Sequence, residues 1–393
     1  MKFYKEDIEE SIALRRVFHK NPELSGEEFQ TILRIQEQLD DYGINYEKVL
    51  DTGALAVIEG DHPGATVALR ADIDALPIHE ATDLSFKSVT DGIMHACGHD
   101  AHAAMMLTAA KVLNRNRDKI YGRVLIIFQP SEEDAPIGGA GPMLEAGLFD
   151  KYEPDAIFAQ HVWPGLDLGK FGVMSGPIMG NSDRIKIKIQ GRGGHAAVPN
   201  EAVDPIVIAS QVISNIQTIV SRNVDPFDPA VITIGTIEGG VAANIIADTV
   251  LLRGSMRSLS ENSRKVMHQR LKEVVEDTAQ SLGGEAFVEV EAGYPATIND
   301  PGWASVLRET VIDEYGEAAA PDLKPSLAGE DFSKFLLKYP GVYYWLGMKE
   351  DNEMFPLHHP KFDVNEAAFD YGINMLLKLT IKALEKLNEK SEG

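Results

Sequence analysis

The chain has 393 residues, 44% apolar and 25% charged, an ordinary globular composition over a length too great for one compact core. Its net charge of −23 argues against nucleic acid as a main partner, and no apolar run approaches the roughly 18–20 residues of a membrane span. The opening Met1-Lys2-Phe3-Tyr4-Lys5-Glu6-Asp7 lacks the apolar core of a secretory signal, and a single cysteine cannot form an internal disulfide, so a reducing, cytoplasmic setting is expected.

A helix is predicted over 5–19, where Ile8, Ile12, Leu14 and Phe18 recur at near-helical spacing before Asn21-Pro22 stops it. A second runs over 25–41, with Phe29, Ile32, Leu33, Ile35 and Leu39 apolar, Ser25 and Glu28 spaced as a capping box, and Gly43 at its end. Short strands follow at 54–58 and 66–70, and the second leads into Ala71-Asp72-Ile73-Asp74. Alternation places Asp72 and Asp74 on one side of an extended segment. A strand's carboxyl end is where sites gather in open α/β sheets, although alone this pair reads as a solvated turn.

Met94-His95-Ala96-Cys97-Gly98-His99-Asp100-Ala101-His102 holds the only cysteine and three of the eleven histidines. Cys97 and His99 can face one point if the backbone bends at Gly98, which makes half of a metal site; a lone cysteine is otherwise an ordinary buried thiol. A helix follows over 103–113. Arg123-Val124-Leu125-Ile126-Ile127-Phe128 is almost continuously apolar, as in a central strand covered on both faces, and ends in Gln129-Pro130-Ser131-Glu132-Glu133-Asp134. The strand at 156–160 ends in His161. Three strands thus deliver Asp/Asp, Glu/Glu and His, and that recurrence points to a shared site.

From residue 182 the pattern changes. Arg184-Ile185-Lys186-Ile187-Lys188-Ile189-Gln190 alternates cleanly, as in a sheet with one wet face. A helix over 204–221, strands at 230–237 and 249–256, a helix over 260–282 and a strand at 286–290 complete a β-α-β-β-α-β order, that of a ferredoxin-like module. The expected organisation is therefore a first domain at 1–181 and 294–393, interrupted by an insert at 182–293. The first domain resumes with helices over 301–315 and 331–338, a strand at 342–346 and a helix from 365 to 390. The Gly191-Arg192-Gly193-Gly194-His195 loop lacks the G-x-G-x-x-G spacing of a dinucleotide site. The late loop Phe355-Pro356-Leu357-His358-His359-Pro360 supplies a further imidazole.

The candidates for chemistry are Cys97, His99, Glu132, Glu133, His161 and His358 or His359. About five ligands suffice for two divalent ions, which lower the pKa of water and polarise a carbonyl. Adjacent glutamates on an extended backbone point apart, so one can bind metal while the other serves as general base.

Arg70-Ala71-Asp72-Ile73-Asp74-Ala75-Leu76-Pro77, Met94-His95-Ala96-Cys97-Gly98-His99-Asp100, Phe128-Gln129-Pro130-Ser131-Glu132-Glu133, Gly193-Gly194-His195, Gly329-Glu330-Asp331-Phe332 and Leu357-His358 occur in an order that resembles the M20 metallopeptidase family. The match is to the branch of hippurate hydrolases, N-acyl-L-amino acid amidohydrolases and indoleacetyl-amino acid hydrolases. The resemblance implies an α/β catalytic domain with a central, mostly parallel mixed sheet, plus an inserted ferredoxin-like α+β lid and dimerisation domain. It implies Cys97, His99, Glu133, His161 and His358 as ligands of two divalent metals (Zn²⁺, Mn²⁺, Co²⁺ or Ni²⁺), with Cys97 bridging. Glu132 becomes the base and Asp74 the carboxylate that orients a ligand imidazole. Asp72 stands where other branches have a histidine ligand, so it is not counted as one. Ser131 replaces a common alanine. His195 is expected to stabilise the oxyanion in the partner subunit's site, and Asn244, Arg257 and Gly329 to contact substrate. Asp100 is expected to cap its helix or support a ligand, with His95 and His102 in supporting places.

The implied activity is hydrolysis of an N-acyl (N-acetyl or aromatic acyl) L-amino acid by a homodimer or higher homo-oligomer. A deacetylase of N-acetyl-diaminopimelate, a dipeptidase and a silent metal- or ligand-binding homologue are the alternatives.

Overall fold

The computed structural model describes residues 1, 3–350 and 354–391. The chain divides into two compact units, Met1–Ile178 with Ile298–Lys324 and Asp331–Gly393, and Met179–Thr297 with Pro325–Glu330. Among the described residues, no helix is long and apolar enough to cross a membrane.

The first unit is built on a seven-stranded sheet in the order Asn45–Val49, Gly53–Glu59, Tyr121–Gln129, His62–Asp72, Ala156–Asp167, Gly341–Lys349, Phe171–Gly172. The four strands from Tyr121–Gln129 to Gly341–Lys349 run parallel to one another, and the pairs outside them are antiparallel. Helices His99–Arg115 and Ala368–Ser391 contribute to the same apolar core as these strands. Coverage on both faces explains why Val124, Leu125, Ile126, Ile127 and Phe128 are all fully buried in succession.

The second unit is a four-stranded antiparallel sheet in the order Ala230–Gly239, Thr249–Ser258, Asp183–Gln190, Glu285–Glu291. The first strand in sequence is central and the second and fourth are edges, the ferredoxin-like arrangement. Ile185, Ile187 and Ile189 face a core shared with Ile208, Val212 and Ile216 of helix Pro205–Arg222 and Met267, Leu271 and Val275 of helix Glu261–Ser281. Both helix starts are capped: Asp204 accepts from Ile206 N at 2.9 Å and Ser260 from Ser263 N at 3.1 Å.

Some local expectations are corrected. The second helix starts at Phe29, and Glu28 at its N-cap makes no side-chain cap bond. Ser25 lies three residues before that N-cap, and its hydroxyl donates to Asp74 Oδ2 at 2.7 Å. The helix expected over 331–338 shrinks to Ser333–Leu336, since Asp331 is committed to a buried network with Arg70. The helix after Cys97 starts four residues before the expected 103, at His99.

Asp183 holds one end of the second unit together. Its oxygens accept from Arg264 Nε at 2.9 Å, Arg264 Nη2 at 2.5 Å, His268 Nε2 at 2.5 Å and Gly293 N at 2.9 Å. Burial pushes its carboxyl pKa up, but the bonds from His268, Arg264 and Gly293 outweigh it and hold the group well below the carboxylate range. A depressed carboxylate stabilises the fold above its unfolded pKa of about 3.9 and loses that contribution as pH falls through the folded value. Asp183→Asn is expected to cost about 3–5 kcal/mol and to flatten the acid limb of stability against pH. Thermal unfolding from pH 3 to 7 checks this, and an unchanged melting temperature contradicts it.

Candidate metal centre

Gly98 supplies the bend that the sequence requires. It takes φ +88° at the start of helix His99–Arg115. A Cβ there would come within 2.4 Å of Val162 Cγ2, so only glycine lets this turn lie against the strand that carries His161. Cys97 Sγ consequently stands 3.5 Å from His161 Nε2.

The glutamate loop leaves strand Tyr121–Gln129 through Ser131, whose φ is +58°. Glu132 and Glu133 lie in a turn rather than on extended backbone, so simple alternation does not separate them. Their surroundings do. Glu133 offers an oxygen within 4.8 Å of donor atoms of both Cys97 and His358, and the two glutamates form a second such group with His99. His358 Nε2 is 3.1 Å from Glu133 Oε1, and His99 Nε2 is 4.0 Å from the same oxygen. His358 is itself in the left-handed region, φ +63°, with its N–H donating to Ala96 O at 2.8 Å. Cys97, His99, Glu132 and His161 are each at most 7% exposed, whereas the His358 side chain is 51% exposed, so the cluster has one open side.

Hydrogen bonds decide which imidazole nitrogens are available. His161 Nδ1 lies 2.7 Å from Val162 O, an acceptor only, so Nδ1 carries the proton and Nε2 keeps its lone pair. His99 Nδ1 donates toward Asp74 O at 3.0 Å and Asp74 Oδ1 at 3.1 Å, which aims Nε2 into the cluster; that buried Nε2 has no hydrogen-bond partner among the described residues. His102 is different. Its Nε2 accepts from Val162 N at 3.0 Å and its Nδ1 donates to Asp72 Oδ1 at 2.6 Å, so both nitrogens are used. Asp72 is likewise occupied, by His102 and by Arg70 Nη1 at 2.6 Å. His359 stacks on Phe355 and its Nδ1 accepts from Lys361 N at 3.0 Å.

Asp100 neither caps its helix nor touches a ligand. Its Oδ2 accepts from Arg15 Nε at 3.0 Å and His19 Nδ1 at 2.8 Å, and Arg15 Nη2 reaches Asp363 at 2.5 Å. Spacing within the 94–102 stretch could not show this, because Arg15 and His19 come from the first helix. Arg70 was also legible only as part of a motif. It donates to Gln129 Oε1 at 2.8 Å and Asp331 Oδ1 at 2.9 Å; the readable signal was an arginine directly after the apolar run Val67-Ala68-Leu69.

The electrostatics fit cations. Burial, then Glu133, Glu132 and Asp72, push the Cys97 thiol well above its ordinary pKa. Burial lowers His99, but Asp72, Asp74 and Glu133 overcome it and raise the imidazole to about 10. Acids crowded around a thiol and a free imidazole nitrogen favour positive charge there, and divalent cations supply it in place of protons.

Within the second unit, His195 pairs with Ile245 across a two-residue ladder and is exposed. Its Nδ1 accepts from Ala197 N at 3.1 Å, leaving Nε2–H as an outward donor. Asn244, next to Ile245, is exposed, and its backbone carbonyl accepts from Ala196 N at 3.1 Å. Arg257 Nη1 donates to Leu327 O at 3.4 Å, and among the described residues the guanidinium forms no ion pair. Gly329 adjoins it: a Cβ there would meet Ser182 Oγ at 2.9 Å and Arg257 Nη1 at 3.4 Å.

Residues 68–382 match the description "Peptidase family M20/M25/M40". The chain belongs to the M20 peptidase family. It is 40% identical to thermostable carboxypeptidase 2 of Saccharolobus solfataricus over 380 residues, covering 95% of each chain. It is also 40% identical to the N-acetyldiaminopimelate deacetylase of Bacillus subtilis over 372 residues, 94% of this chain and 97% of that one. A solved structure of a dinuclear metal-binding M20 peptidase from Bacillus subtilis superposes with a TM-score of 0.85 at 34% identity, covering 97% of this chain and 99% of that one. This M20 chain is a metal-dependent hydrolase of amide bonds.

With Cys97 and His99 assigned as ligands, cations filling the centre would displace the protons that both groups hold near neutrality without metal. At pH 7 the expected release is about two protons per subunit, and apparent affinity rises with pH through the neutral range. Zn²⁺ titrations in buffers of different ionisation enthalpy count these protons; a release of zero contradicts the assignment of Cys97 and His99.

Proposed function

We propose that the protein hydrolyses N-acyl L-amino acids, with N-acetyl or aromatic acyl groups, to a carboxylate and a free amino acid. The observation that carries this reading is the convergence of five ligand-type side chains on one buried, open-sided cluster beside a sixth group, Glu132. In this reading Cys97, His99, Glu133, His161 and His358 hold two divalent cations. Zn²⁺, Mn²⁺, Co²⁺ and Ni²⁺ are all compatible with a thiolate, imidazoles and a carboxylate. When bound, the cations polarise the scissile carbonyl and make water acidic enough to attack near neutral pH.

Glu132 takes a proton from water as the water oxygen bonds to the carbonyl carbon. It then delivers that proton to the amide nitrogen as the C–N bond breaks, leaving a carboxylate and an amine. Asp74 fixes the His99 ring through Nδ1, which keeps Nε2 turned toward the cluster. His195 Nε2–H is the donor to the developing oxyanion, in the site of a partner subunit of a homodimer. Arg257, which forms no ion pair among the described residues, binds the free carboxylate of the amino acid bidentately, with Asn244 and Gly329 beside the substrate. The inserted unit serves as lid and dimerisation domain, and a cytoplasmic setting keeps Cys97 reduced.

Overall identity does not select the leaving group or acyl group, since a carboxypeptidase and a deacetylase are equally similar to this chain. Peptides and N-acetyl-diaminopimelate therefore belong on the substrate panel beside acetyl, benzoyl and indoleacetyl amino acids. Glu132→Gln is expected to lower kcat by about 10²- to 10⁴-fold with metal content unchanged. Stopped assays on the best panel substrate measure this, and near wild-type kcat would remove Glu132 from the role.

A further inference from the structure

Glu28 is a fully buried carboxylate that the proposed reaction leaves unused. Burying an anion is costly unless it is well hydrogen-bonded, so the groups it serves define its purpose. Its Oε1 accepts from Gly26 N at 2.9 Å, within its own turn, and from Ser131 N at 2.8 Å, on the loop that carries Glu132. The Ser131 hydroxyl leans on the same oxygen at 3.4 Å. Ser131 has φ +58°, a conformation that a serine keeps only when its surroundings hold it.

The other end of the loop is held in the same way. Glu133 N donates to Asp74 Oδ2 at 2.9 Å, and that oxygen also accepts from Ser25 Oγ at 2.7 Å. The segment before the second helix is itself fastened alongside, through Ala75 N to Glu23 O at 2.8 Å. Ser25 and Glu28 thus reach both anchors of the tripeptide Ser131-Glu132-Glu133.

We infer that Glu28, seconded by Ser25, is a positioning residue that braces the glutamate loop and sets the direction of the Glu132 carboxylate. This rests on the reading of Glu132 as the base. Glu28 acts through the Ser131 N–H, so what matters is an acceptor at the right reach, not its charge.

Two mild substitutions separate reach from charge. Glu28→Gln keeps an oxygen able to accept both N–H groups, whereas Glu28→Asp keeps the charge but withdraws the acceptor by one methylene. In the metal-loaded enzyme, Glu28→Asp is expected to lower kcat by about 10- to 100-fold, with KM within about twofold and metal content unchanged. Glu28→Gln should stay within about threefold of wild-type kcat. Amide hydrogen exchange of a peptide spanning 129–134 should quicken in Glu28→Asp and not in Glu28→Gln. A normal Glu28→Asp enzyme, a Glu28→Gln enzyme impaired as much as Glu28→Asp, or unchanged exchange in Glu28→Asp overturns the inference. Exchange reports the brace independently of the base: an active Glu132→Gln enzyme removes the base assignment, while quickened exchange in Glu28→Asp still supports the brace.

Discussion

The interior of the first unit gathers several acidic side chains around one point. Asp72, Asp74 and Glu132 lie at most 7% exposed, Glu133 is beside them, and Cys97 sits among them. Isolated carboxylates at such depth are strongly disfavoured, so each must find a cation or several N–H donors. Arg70 answers Asp72 and Asp331, and His102 takes the other oxygen of Asp72. Asp74 collects Ser25, His99 and the Glu133 N–H. What remains is the space between Cys97, Glu133 and the Nε2 atoms of His99, His161 and His358, which is the space the proposed function gives to cations.

The periodic parts of this arrangement were legible from residues alone. The apolar run 123–128 announced a central strand, and the alternation at 184–190 announced a half-wet sheet, because burial on two faces or one writes a distinct pattern. The ligand-type residues were legible because Cys, His and Glu are rare together at strand ends. The connections between them were not. Asp100 pairs with Arg15, 85 positions away, and Asp331 accepts from Gln129, 202 positions away; local spacing carries no trace of either. Ser25 and Glu28 mislead for a related reason. Their spacing suits a helix cap, yet the acceptor and donor that they meet in the folded chain come from distant loops and are the better partners.

The division of the chain also bears on how one set of catalytic groups can accompany different substrates. The proposed ligands and base all belong to the first unit, and His195, Asn244, Arg257 and Gly329 to the second. Chemistry and recognition would then draw on separate hydrophobic cores, so changes in one core need not disturb the other.

The order of the cluster along the chain sets a schedule for biosynthesis. Cys97, His99, Glu133 and His161 are translated before the inserted unit, and His358 only after it. The buried contacts of Arg15 point the same way, since its partners Asp363 and Glu366 lie still later. A nascent chain therefore carries an incomplete, acid-rich pocket throughout synthesis of the insert, which has its own core and can fold meanwhile. Closure of the first unit must wait for a segment more than 340 positions after Arg15, a long-range step of the kind that slows folding.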